Sequence, residues 1–398
     1  MDIVITPGKL RGKVQAIASK SHAHRLLICA AFADSQTSII CQQTNQDIEA
    51  TVDCLRSLDA CIKRTDNGFL VTPANVIPSA ATLNCCESGS TLRFMLPIVG
   101  ALGVDTTFLM EGRLPQRPLS PLWEEMERMG CTLTRPTANT LRCQGTLSGG
   151  TFKISGNVSS QFITGLLFAG ALMKHEVTIE IVGKLESKPY IELTQQALAQ
   201  FGVRSDGYHI EKNTSFHSPG QLYVEGDWSN AAFFLAANAL GSHIDISNLN
   251  PASTQGDKAV VTVLEQMQSY VIIDAADIPD LVPILSVAAA CKHGAVFTNI
   301  QRLRTKESDR VASVLNLLKA LDCDACANEN TMTVLPCRFT GGTVDACGDH
   351  RIAMAAAIAA TSADSPVTVL GAHCVAKSYP AFWEEYKRLG GNYEQYIR

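Results

Sequence analysis

The sequence lacks a hydrophobic run long enough to cross a membrane. Its longest purely apolar run, Ile352–Ala360, has nine residues, whereas a spanning helix needs about twenty. The N-terminal segment carries Lys9, Arg11, Lys13 and Lys20 but no apolar stretch, so no secretory signal is visible. These features predict a cytoplasmic protein without a membrane partner.

An excess of one charge sign is also missing. The 33 Lys and Arg residues nearly balance 38 Asp and Glu residues, giving a net charge of −5, which argues against a nucleic-acid partner. The 398 residues are 46% hydrophobic and 18% charged. This composition excludes a disordered chain and suffices for two or three domains of about 150 residues each.

Common cofactor and metal motifs are absent. The sequence contains no dinucleotide-binding glycine motif, no P-loop, no His-Glu-x-x-His and no EF-hand loop. Cys323 and Cys326 form a lone CxxC, and Cys85 and Cys86 are adjacent, but no second pair completes a zinc site. We therefore predict no metal and no organic cofactor, and expect the 14 cysteines to be reduced and mostly buried.

One pattern recurs along the chain: a helix-like segment ends, a small or polar residue follows, and strand-like residues begin. Gly130, Gly202 and Gly390 stand where a helix C-cap favours a left-handed residue. A spacing of roughly 66 residues is typical of a repeated α/β unit. The six copies are Leu55–Ala60, Met126–Cys131, Leu198–Val203, Leu264–Ser269, Leu318–Cys323 and Tyr386–Gly391.

Four of these copies continue into turn residues that predict a β-hairpin. The fourth and sixth copies have no such turn. The turns are Asp66-Asn67-Gly68, Thr137-Ala138-Asn139, Asp206-Gly207 and Asn328-Glu329-Asn330.

Clusters of basic, hydroxyl and glycine residues directly precede apolar, helix-like segments. Their serines could simply cap the helices, but a helix start also offers free N–H groups to a phosphate. Both interpretations stay open. The clusters are Ala18–Arg25, Glu87–Arg93, Ser159–Gln161 and Ser187–Tyr190.

The C-terminal half adds further charged segments. Arg304–Arg310 is either a solvated charge run or, on a helix, a segment in which Lys306 and Arg310 share one face. Structural roles are expected for the histidines His22, His24 and His350. Fixed cations at element ends favour a small polyanionic substrate. These cations are Lys20, Arg25, Arg117, Lys306, Arg310, Arg351 and Lys377.

Ten ordered segments resemble the 5-enolpyruvylshikimate-3-phosphate synthase family. The resemblance implies an α/β, two-domain fold of six βαβαββ units, three per domain, around a hinged cleft. It places one domain at residues 19–226 and the other at residues 1–18 plus 227–398. The segments are SKSHAHR, ESGSTLRF, RLPQRPL, SGNVSSQF, ESKPYIELT, YVEGDWSNAAFFLA, IPDLVPIL, RTKESDR, GDHRIAMA and AKSYPAFW.

The resemblance also implies a reaction. Phosphoenolpyruvate would pass its enolpyruvyl group to the 5-hydroxyl of shikimate 3-phosphate, and phosphate would leave, through a tetrahedral intermediate. Such chemistry needs a general acid, a group facing the hydroxyl, and fixed charge. No cofactor is implied, and the family is often monomeric.

Individual roles follow from the same resemblance. Lys20, Asp280 and Glu307 are the expected catalytic residues. Those expected around shikimate 3-phosphate are Ser21, Arg25, Ser159, Ser160, Gln161, Ser187, Tyr190, Asp280 and Lys306. Those expected around phosphoenolpyruvate are Lys20, Gly89, Arg117, Gln161, Arg310, Arg351 and Lys377.

Two departures from the family pattern are Cys86-Glu87, where Gly-Asn is common, and Arg302, where asparagine is common. Compared with the family, the fourth unit also looks shortened after Ser269. A carboxylate at Glu87 would repel a phosphate unless it is paired or turned away. Two alternatives remain. One is UDP-N-acetylglucosamine enolpyruvyl transferase, which is disfavoured because Arg113–Arg117 lacks a cysteine. The other is a non-catalytic anion-binding relative.

Overall fold

The computed structural model describes residues 1–396 and confirms the α/β class. In chain order the strands are β1 (Asp2–Thr6), β2 (Arg11–Gln15), β3 (Thr37–Ile40), β4 (Cys61–Thr65), β5 (Gly68–Thr72), β6 (Ala80–Asn84), β7 (Asp105–Leu109), β8 (Cys131–Thr134), β9 (Thr140–Gly145), β10 (Gly150–Ser155), β11 (Val177–Val182), β12 (Ser205–Asp206), β13 (His209–Ile210), β14 (Gln221–Tyr223), β15 (His243–Ser247), β16 (Val271–Asp274), β17 (Ala295–Thr298), β18 (Ala325–Ala327), β19 (Thr331–Val334), β20 (Gly342–Asp345), β21 (Val367–Leu370) and β22 (Asn392–Tyr396).

Helices connect these strands. The α-helices are α1 (Lys20–Ala31), α2 (Gln46–Arg56), α3 (Gly89–Leu102), α4 (Leu122–Arg128), α5 (Ser160–Leu172), α6 (Lys188–Gln200), α7 (Trp228–Ala239), α8 (Val260–Gln266), α9 (Val282–Ala290), α10 (Arg310–Ala320), α11 (His350–Ala360) and α12 (Phe382–Arg388). Short 3₁₀ helices span Leu114–Gln116, Gly256–Ala259, Gln301–Thr305 and Ala372–Lys377. None of the helices in the described part of the chain is long and apolar enough to span a membrane.

The chain divides into two compact units. One is Ala18–Glu225, and the other combines Met1–Ile17 with the chain from Gly226 onward. Each boundary lies one residue before the position that the resemblance implies. Each unit has its own apolar core, which the buried faces of its helices and sheets build.

The repeat read from the helix ends is present. All six segments lie at the ends of α2, α4, α6, α8, α10 and α12, and each is followed by a strand. Asp59 and Asp322 adopt positive φ angles of 74° and 64°, at the positions that Gly130, Gly202 and Gly390 occupy in their copies. The left-handed turn after the helix is therefore kept even where the residue is not glycine.

Five sheets share one strand order, in which two parallel strands are followed by an antiparallel pair. They are β14-β3-β5-β4, β6-β7-β9-β8, β10-β11-β13-β12, β16-β17-β19-β18 and β20-β21-β1-β22. In the last of these, β1 from the N-terminus supplies the inner hairpin strand. The four predicted hairpin turns are confirmed, because β4–β5, β8–β9, β12–β13 and β18–β19 all pair antiparallel.

Two further pairings join strands that are distant in sequence. Strand β14 joins β3, β5 and β4 in one unit, and β2 pairs with β15 in the other. The sheet of β2 and β15 has two strands within residues 1–396, and β16 begins at Val271, soon after α8 ends at Gln266. The expected shortening of the fourth unit after Ser269 is confirmed.

The expectation of reduced, mostly buried cysteines is wrong at one pair. Cys323 and Cys337 form a disulfide with their Cα atoms 5.6 Å apart. The pairing of β18 with β19, extended by a bond from Leu335 N–H to Asp324 O, brings the two cysteines together. CxxC spacing cannot reveal such a pair. Several free cysteines, including Cys326, are exposed rather than buried.

Within residues 1–396, the sheet of β2 and β15 has no antiparallel pair beside β15, unlike the other sheets. Asn238 of α7 covers this edge of β15. Its side-chain amide donates to Ile244 O at 2.8 Å, and its carbonyl accepts from Ile244 N at 2.8 Å. The neighbouring His243 N–H bonds to Leu10 O, so the backbone groups of Ile244 face the edge opposite β2. One side chain therefore satisfies backbone groups that a strand satisfies in the other sheets.

We predict that Asn238→Ala lowers the free energy of unfolding by about 1–3 kcal/mol, because two backbone groups lose their partner. The freed edge should also promote self-association. Urea unfolding and analytical ultracentrifugation measure the two effects. Gln266→Ala, which removes an exposed amide from α8, is the matched control. Equal stability and mass for Asn238→Ala and the control would contradict the prediction.

Candidate functional site

The predicted polar clusters form the first turns of helices rather than the segments before them. Lys20, Gly89 and Ser160 are the first residues of α1, α3 and α5. The preceding serines, Ser19, Ser88 and Ser159, each accept a backbone N–H as side-chain caps. The capping interpretation is thus correct for these three serines. It leaves the other N–H groups of each first turn directed out of the helix end.

Buried Arg25 joins three helices of the unit Ala18–Glu225. Its guanidinium donates to Ser21 O at 2.5 Å, Thr194 Oγ1 at 2.9 Å and Tyr190 O at 2.8 Å. Another N–H lies 3.5 Å from Thr164 Oγ1 of α5. Burial lowers the pKa of Arg25 to about 10, so the group stays charged at neutral pH. The bonds hold the starts of α1, α5 and α6 together around a cation.

Two arginines converge on Gly89. A Cβ atom at this position would lie 2.5 Å from Arg117 Nη1 and 2.7 Å from Arg93 Nη1. A larger residue would therefore have to displace the ends of both arginine side chains. The side chains meet at the first residue of α3, where helix N–H groups already favour an anion.

Arg93 is a residue that the sequence reasoning missed. Its Nη1 donates to Gln161 Oε1 at 3.1 Å, and its Nη2 donates to Pro118 O at 3.1 Å. Gln161 Nε2 in turn donates to Ser90 Oγ at 2.9 Å. A guanidinium only donates, so Arg93 fixes which end of the Gln161 amide is the acceptor. The spacing of four residues from Gly89 was the available signal, because it places both on one helix face.

Lys20 is paired with a second residue that was missed. Its Nζ lies 2.7 Å from Asp47 Oδ2, and both side chains are largely buried. Asp47 belongs to the first turn of α2. No sequence motif connects Asp47 with Lys20, so only the fold could reveal this pair.

The departure from the family pattern at Cys86-Glu87 lies in a loop with a well-defined conformation. Cys86 has a positive φ of 46° in the loop between β6 and α3. The Glu87 carboxylate lies against Gly112, where an added Cβ would clash with its Oε1 atom. Gly112 has a φ of 54°, so glycine is favoured there both by conformation and by the space that Glu87 takes.

Arg310 is the centre of the second group of charged residues, in the unit that contains both chain ends. Its Nε donates to Asp349 Oδ2 at 2.8 Å, its Nη1 to Asp280 Oδ1 at 2.6 Å, and its Nη2 to Glu307 Oε2 at 2.6 Å. The arginine side chain is 1% exposed. Asp280 also accepts from Arg351 Nη2 at 3.0 Å. The structure therefore brings five predicted or neighbouring charged groups into one network.

For the segment Arg304–Arg310, the interpretation as a single helix is wrong. Lys306 and Arg310 do not share a helix face, because the 3₁₀ helix ends at Thr305 and α10 begins at Arg310. Asp309 is the N-cap of α10, and its side chain accepts a hydrogen bond from the N–H of Ala312. Lys306 nevertheless approaches the network, since its Nζ lies 3.4 Å from Asp280 Oδ1.

Burial and charge shift the pKa values in this network. Burial alone would raise the pKa of Asp280, but Arg351, Lys306 and Arg310 hold it well below its usual value. Burial lowers the pKa of Lys306 to about 8 despite the attraction of Asp280, and Arg310 and Arg302 lower it further. Asp280 is thus a carboxylate at any working pH, whereas Lys306 loses its charge in mildly alkaline solution.

The remaining candidates are a lysine of the unit that contains both chain ends and two histidines of the unit Ala18–Glu225. Lys377 is buried at the end of the 3₁₀ helix Ala372–Lys377, which packs against α11. His22 and His24 are buried, and burial lowers their pKa values to about 4 and about 3. Both are neutral at physiological pH. His24 Nδ1 is hydrogen-bonded to Thr51 Oγ1 at 2.7 Å, as a structural role requires.

Comparison with known proteins decides the family. The family model for EPSP synthase (3-phosphoshikimate 1-carboxyvinyltransferase) matches residues 4–275 and 269–386. The chain belongs to the EPSP synthase family. It is 38% identical to the 3-phosphoshikimate 1-carboxyvinyltransferase of Clostridium perfringens, over 98% of both chains. It is 35% identical to that of Clostridium kluyveri, over 99% of this chain and 98% of the relative.

A solved structure supports the fold. The EPSP synthase of Acinetobacter baumannii superposes with a TM-score of 0.80 at 23% identity, covering 99% of this chain and 100% of that chain. Membership in this family agrees with the resemblance and with the repeated α/β units. The individual roles expected for the site residues stay predictions.

The predicted site residues of this EPSP synthase family member fall into two sets. The unit Ala18–Glu225 contains Lys20, Ser21, Arg25, Gly89, Arg117, Ser159, Ser160, Gln161, Ser187 and Tyr190. The other unit contains Asp280, Lys306, Glu307, Arg310, Arg351 and Lys377.

We predict that Asp349→Asn lowers the free energy of unfolding by about 1.5–3 kcal/mol, the value of a lost hydrogen bond to a charged group. Asp349 is fully buried, caps α11, and accepts from Arg310 and Ser308. The amide keeps the cap but turns a donor toward the guanidinium. Denaturant unfolding measures the effect. The control is Asp345→Asn, since Asp345 is exposed and accepts only one bond that we can assign, from Cys347 N–H. Equal losses in both variants would refute the special role of the Arg310 network.

Proposed function

We propose that this chain transfers the enolpyruvyl group of phosphoenolpyruvate to the 5-hydroxyl of shikimate 3-phosphate, releasing phosphate. The observation that carries the proposal is the network in which Arg310 and Arg351 both donate to the carboxylate of Asp280, and Arg310 also donates to Glu307. The network combines two fixed cations, the permanent carboxylate of Asp280, and Glu307 as a group for proton transfer. The chain's membership in the EPSP synthase family supplies the substrates.

The reaction runs by addition and elimination. Protonation of the methylene carbon of phosphoenolpyruvate creates positive character at C2, where the 5-hydroxyl oxygen forms a new C–O bond as its proton passes to a base. The tetrahedral intermediate then loses a methyl proton to a base, the enol double bond forms again, and the C–O bond to phosphate breaks. Such a path needs a proton donor and acceptor, and electrostatic stabilisation of the developing charge.

We propose that the unit Ala18–Glu225 binds phosphate groups through its helix starts. Ser159, Ser160 and Gln161 lie at the start of α5, and Gly89 at the start of α3. Arg117 and Arg93 converge on Gly89. N–H groups at a helix start and guanidinium groups are both suited to phosphate oxygens. Ser21, Arg25, Ser187 and Tyr190 belong to the same proposed shikimate 3-phosphate set.

In the other unit, Arg310, Arg351 and Lys377 are proposed to bind phosphoenolpyruvate. Asp280 is proposed to accept a hydrogen bond from the 5-hydroxyl. Because its pKa is held well below the usual value, it is a poor proton acceptor but a constant negative charge. Stabilisation of positive character at C2 is therefore its best role.

Proton transfer falls to Lys20 and Glu307 in this proposal. Asp47, at 2.7 Å, orients the Lys20 ammonium, and Arg310 orients the Glu307 carboxylate through a bond of 2.6 Å. A general acid or base contributes typically 10²–10⁴-fold to the rate. We expect Lys20→Met to lower kcat/KM within this range, and wild-type turnover in that variant would remove Lys20 from the catalytic set.

The decisive experiment follows phosphate release from purified protein with both substrates. We expect release that requires both substrates and falls by at least about a hundredfold in Glu307→Gln. Glu265→Gln, on the exposed face of α8, is the control and should react like the wild type. Both variants remove one carboxylate charge, so the comparison isolates the position of the charge.

The same assay separates the alternatives. A folded protein that binds shikimate 3-phosphate but releases no phosphate would be the non-catalytic anion-binding relative. Release with UDP-N-acetylglucosamine as acceptor would indicate the sister transferase, against which the matched family model already argues. A monomeric state and a cytoplasmic location belong to the proposal as well, and sedimentation tests the first.

The pKa of Lys306 generates a pH prediction. Its ammonium is charged below pH about 8 and neutral above it, so attraction to an anionic substrate is lost as pH rises through this value. We expect KM for shikimate 3-phosphate to increase above pH about 8. Lys306→Arg should move this increase to higher pH, because arginine does not deprotonate there. An unchanged profile in Lys306→Arg would contradict the assignment.

A further inference from the structure

A separate cluster in the unit Ala18–Glu225 contains an acid, an imidazole and a hydroxyl. His217 Nδ1 lies 2.8 Å from Asp34 Oδ2, and its Nε2 lies 3.1 Å from Ser215 Oγ. Ser215 and His217 flank buried Phe216 at a β-bridge, so both side chains leave the same side of the backbone. This is the order of groups that activates a serine as a nucleophile.

Asp34 fixes the tautomer of His217. A bond from Ser218 N–H and the contact with His217 lower the pKa of Asp34 to about 2, so its carboxylate only accepts hydrogen bonds. In the neutral imidazole, Nδ1 must therefore carry the hydrogen that Asp34 accepts. The Nε2 lone pair then faces Ser215 Oγ, as a general base for this hydroxyl requires.

The cluster is exposed but its backbone is anchored. The N–H of Asp34 donates to Phe216 O at 3.0 Å, and the N–H of His217 donates to Phe201 O at 2.8 Å. Phe216 and Phe201 are both buried in the core of the unit. Two separate segments are thus held in register, and the three side chains do not depend on a single flexible loop.

We propose that Ser215, His217 and Asp34 form an acyl-transfer site for small activated esters. The Ser215 oxygen bonds to the ester carbonyl carbon while His217 Nε2 takes the hydroxyl proton. The bond to the leaving alcohol breaks, and that alcohol leaves with the proton from His217. Water then repeats the sequence, its proton passing through His217 back to Ser215 as the acid is released. Because all three side chains are exposed to water, the site suits compact esters and a modest rate.

The test uses p-nitrophenyl acetate with the full chain. We expect p-nitrophenolate release and an acetyl group on Ser215, located by peptide mass spectrometry. Ser215→Ala and His217→Gln should each lower the release rate by at least about tenfold, since the contribution of a general base is typically larger than this. Asp34→Asn should also lower it, by disturbing the tautomer. A fluorophosphonate ester, which captures activated serines, should label Ser215 in the wild type but not in His217→Gln.

Two controls make the outcome decisive. Ser35 Oγ bonds to Asp34 Oδ1 at 3.2 Å, in the same exposed segment, and Ser35→Ala should keep the full rate. Phosphate release in the enolpyruvyl assay should be unchanged in all four variants, which shows that they fold and separates this inference from the proposed function. Acetylation confined to lysine or histidine, or an unchanged rate in Ser215→Ala, would overturn the proposal.

Discussion

Burial of the Arg310 guanidinium is the constraint on which one unit depends. An ion removed from water is tolerated only when paired charges and hydrogen bonds replace its hydration. Arg310 meets this condition with carboxylates from three segments: Glu307 before α10, Asp349 at the start of α11, and Asp280 before α9. The starts of three helices are thereby fixed relative to one charge. The geometry proposed for catalysis is a consequence of satisfying that charge.

The unit Ala18–Glu225 satisfies its buried arginines differently. The hydrogen bonds from Arg25 that we can assign go to backbone carbonyls and threonine hydroxyls, and those from Arg93 go to Gln161 and Pro118 O. Neutral acceptors meet the hydrogen-bonding needs of a guanidinium but do not cancel its charge. Positive potential therefore persists around Arg25, which suits an anionic ligand. In the Arg310 network, carboxylates compensate the cations, which suits a site that must handle both proton transfer and developing positive charge.

The sequence revealed the repeat and four hairpins, because helix ends and turns are decided by local residue preferences. It also revealed the charged residues at helix starts, whereas the resemblance supplied their expected roles and the shortening of the fourth unit. Arg93 and Asp47 escaped because their roles arise from contacts between distant segments, with Gln161 and Lys20. The interpretation of Lys306 and Arg310 as residues of one helix was wrong for a local reason. Asp309 caps α10, so the helix begins only at Arg310. The disulfide of Cys323 was equally invisible, because strand register creates it.

The charge of the residues that cap the helices differs between the two units of the chain. In the unit Ala18–Glu225, the side chains that cap helix starts are neutral: Ser19, Asn45, Ser88 and Ser159. In the other unit they are acidic: Asp227, Asp309 and Asp349. A neutral cap leaves the partial positive charge of the helix start available to an anion, whereas an aspartate offsets it. Repeated folds thus need no new architecture to separate these properties. At the start of α11 the aspartate cap, Asp349, also accepts from buried Arg310, a second bond whose charge attraction a serine cap would not supply.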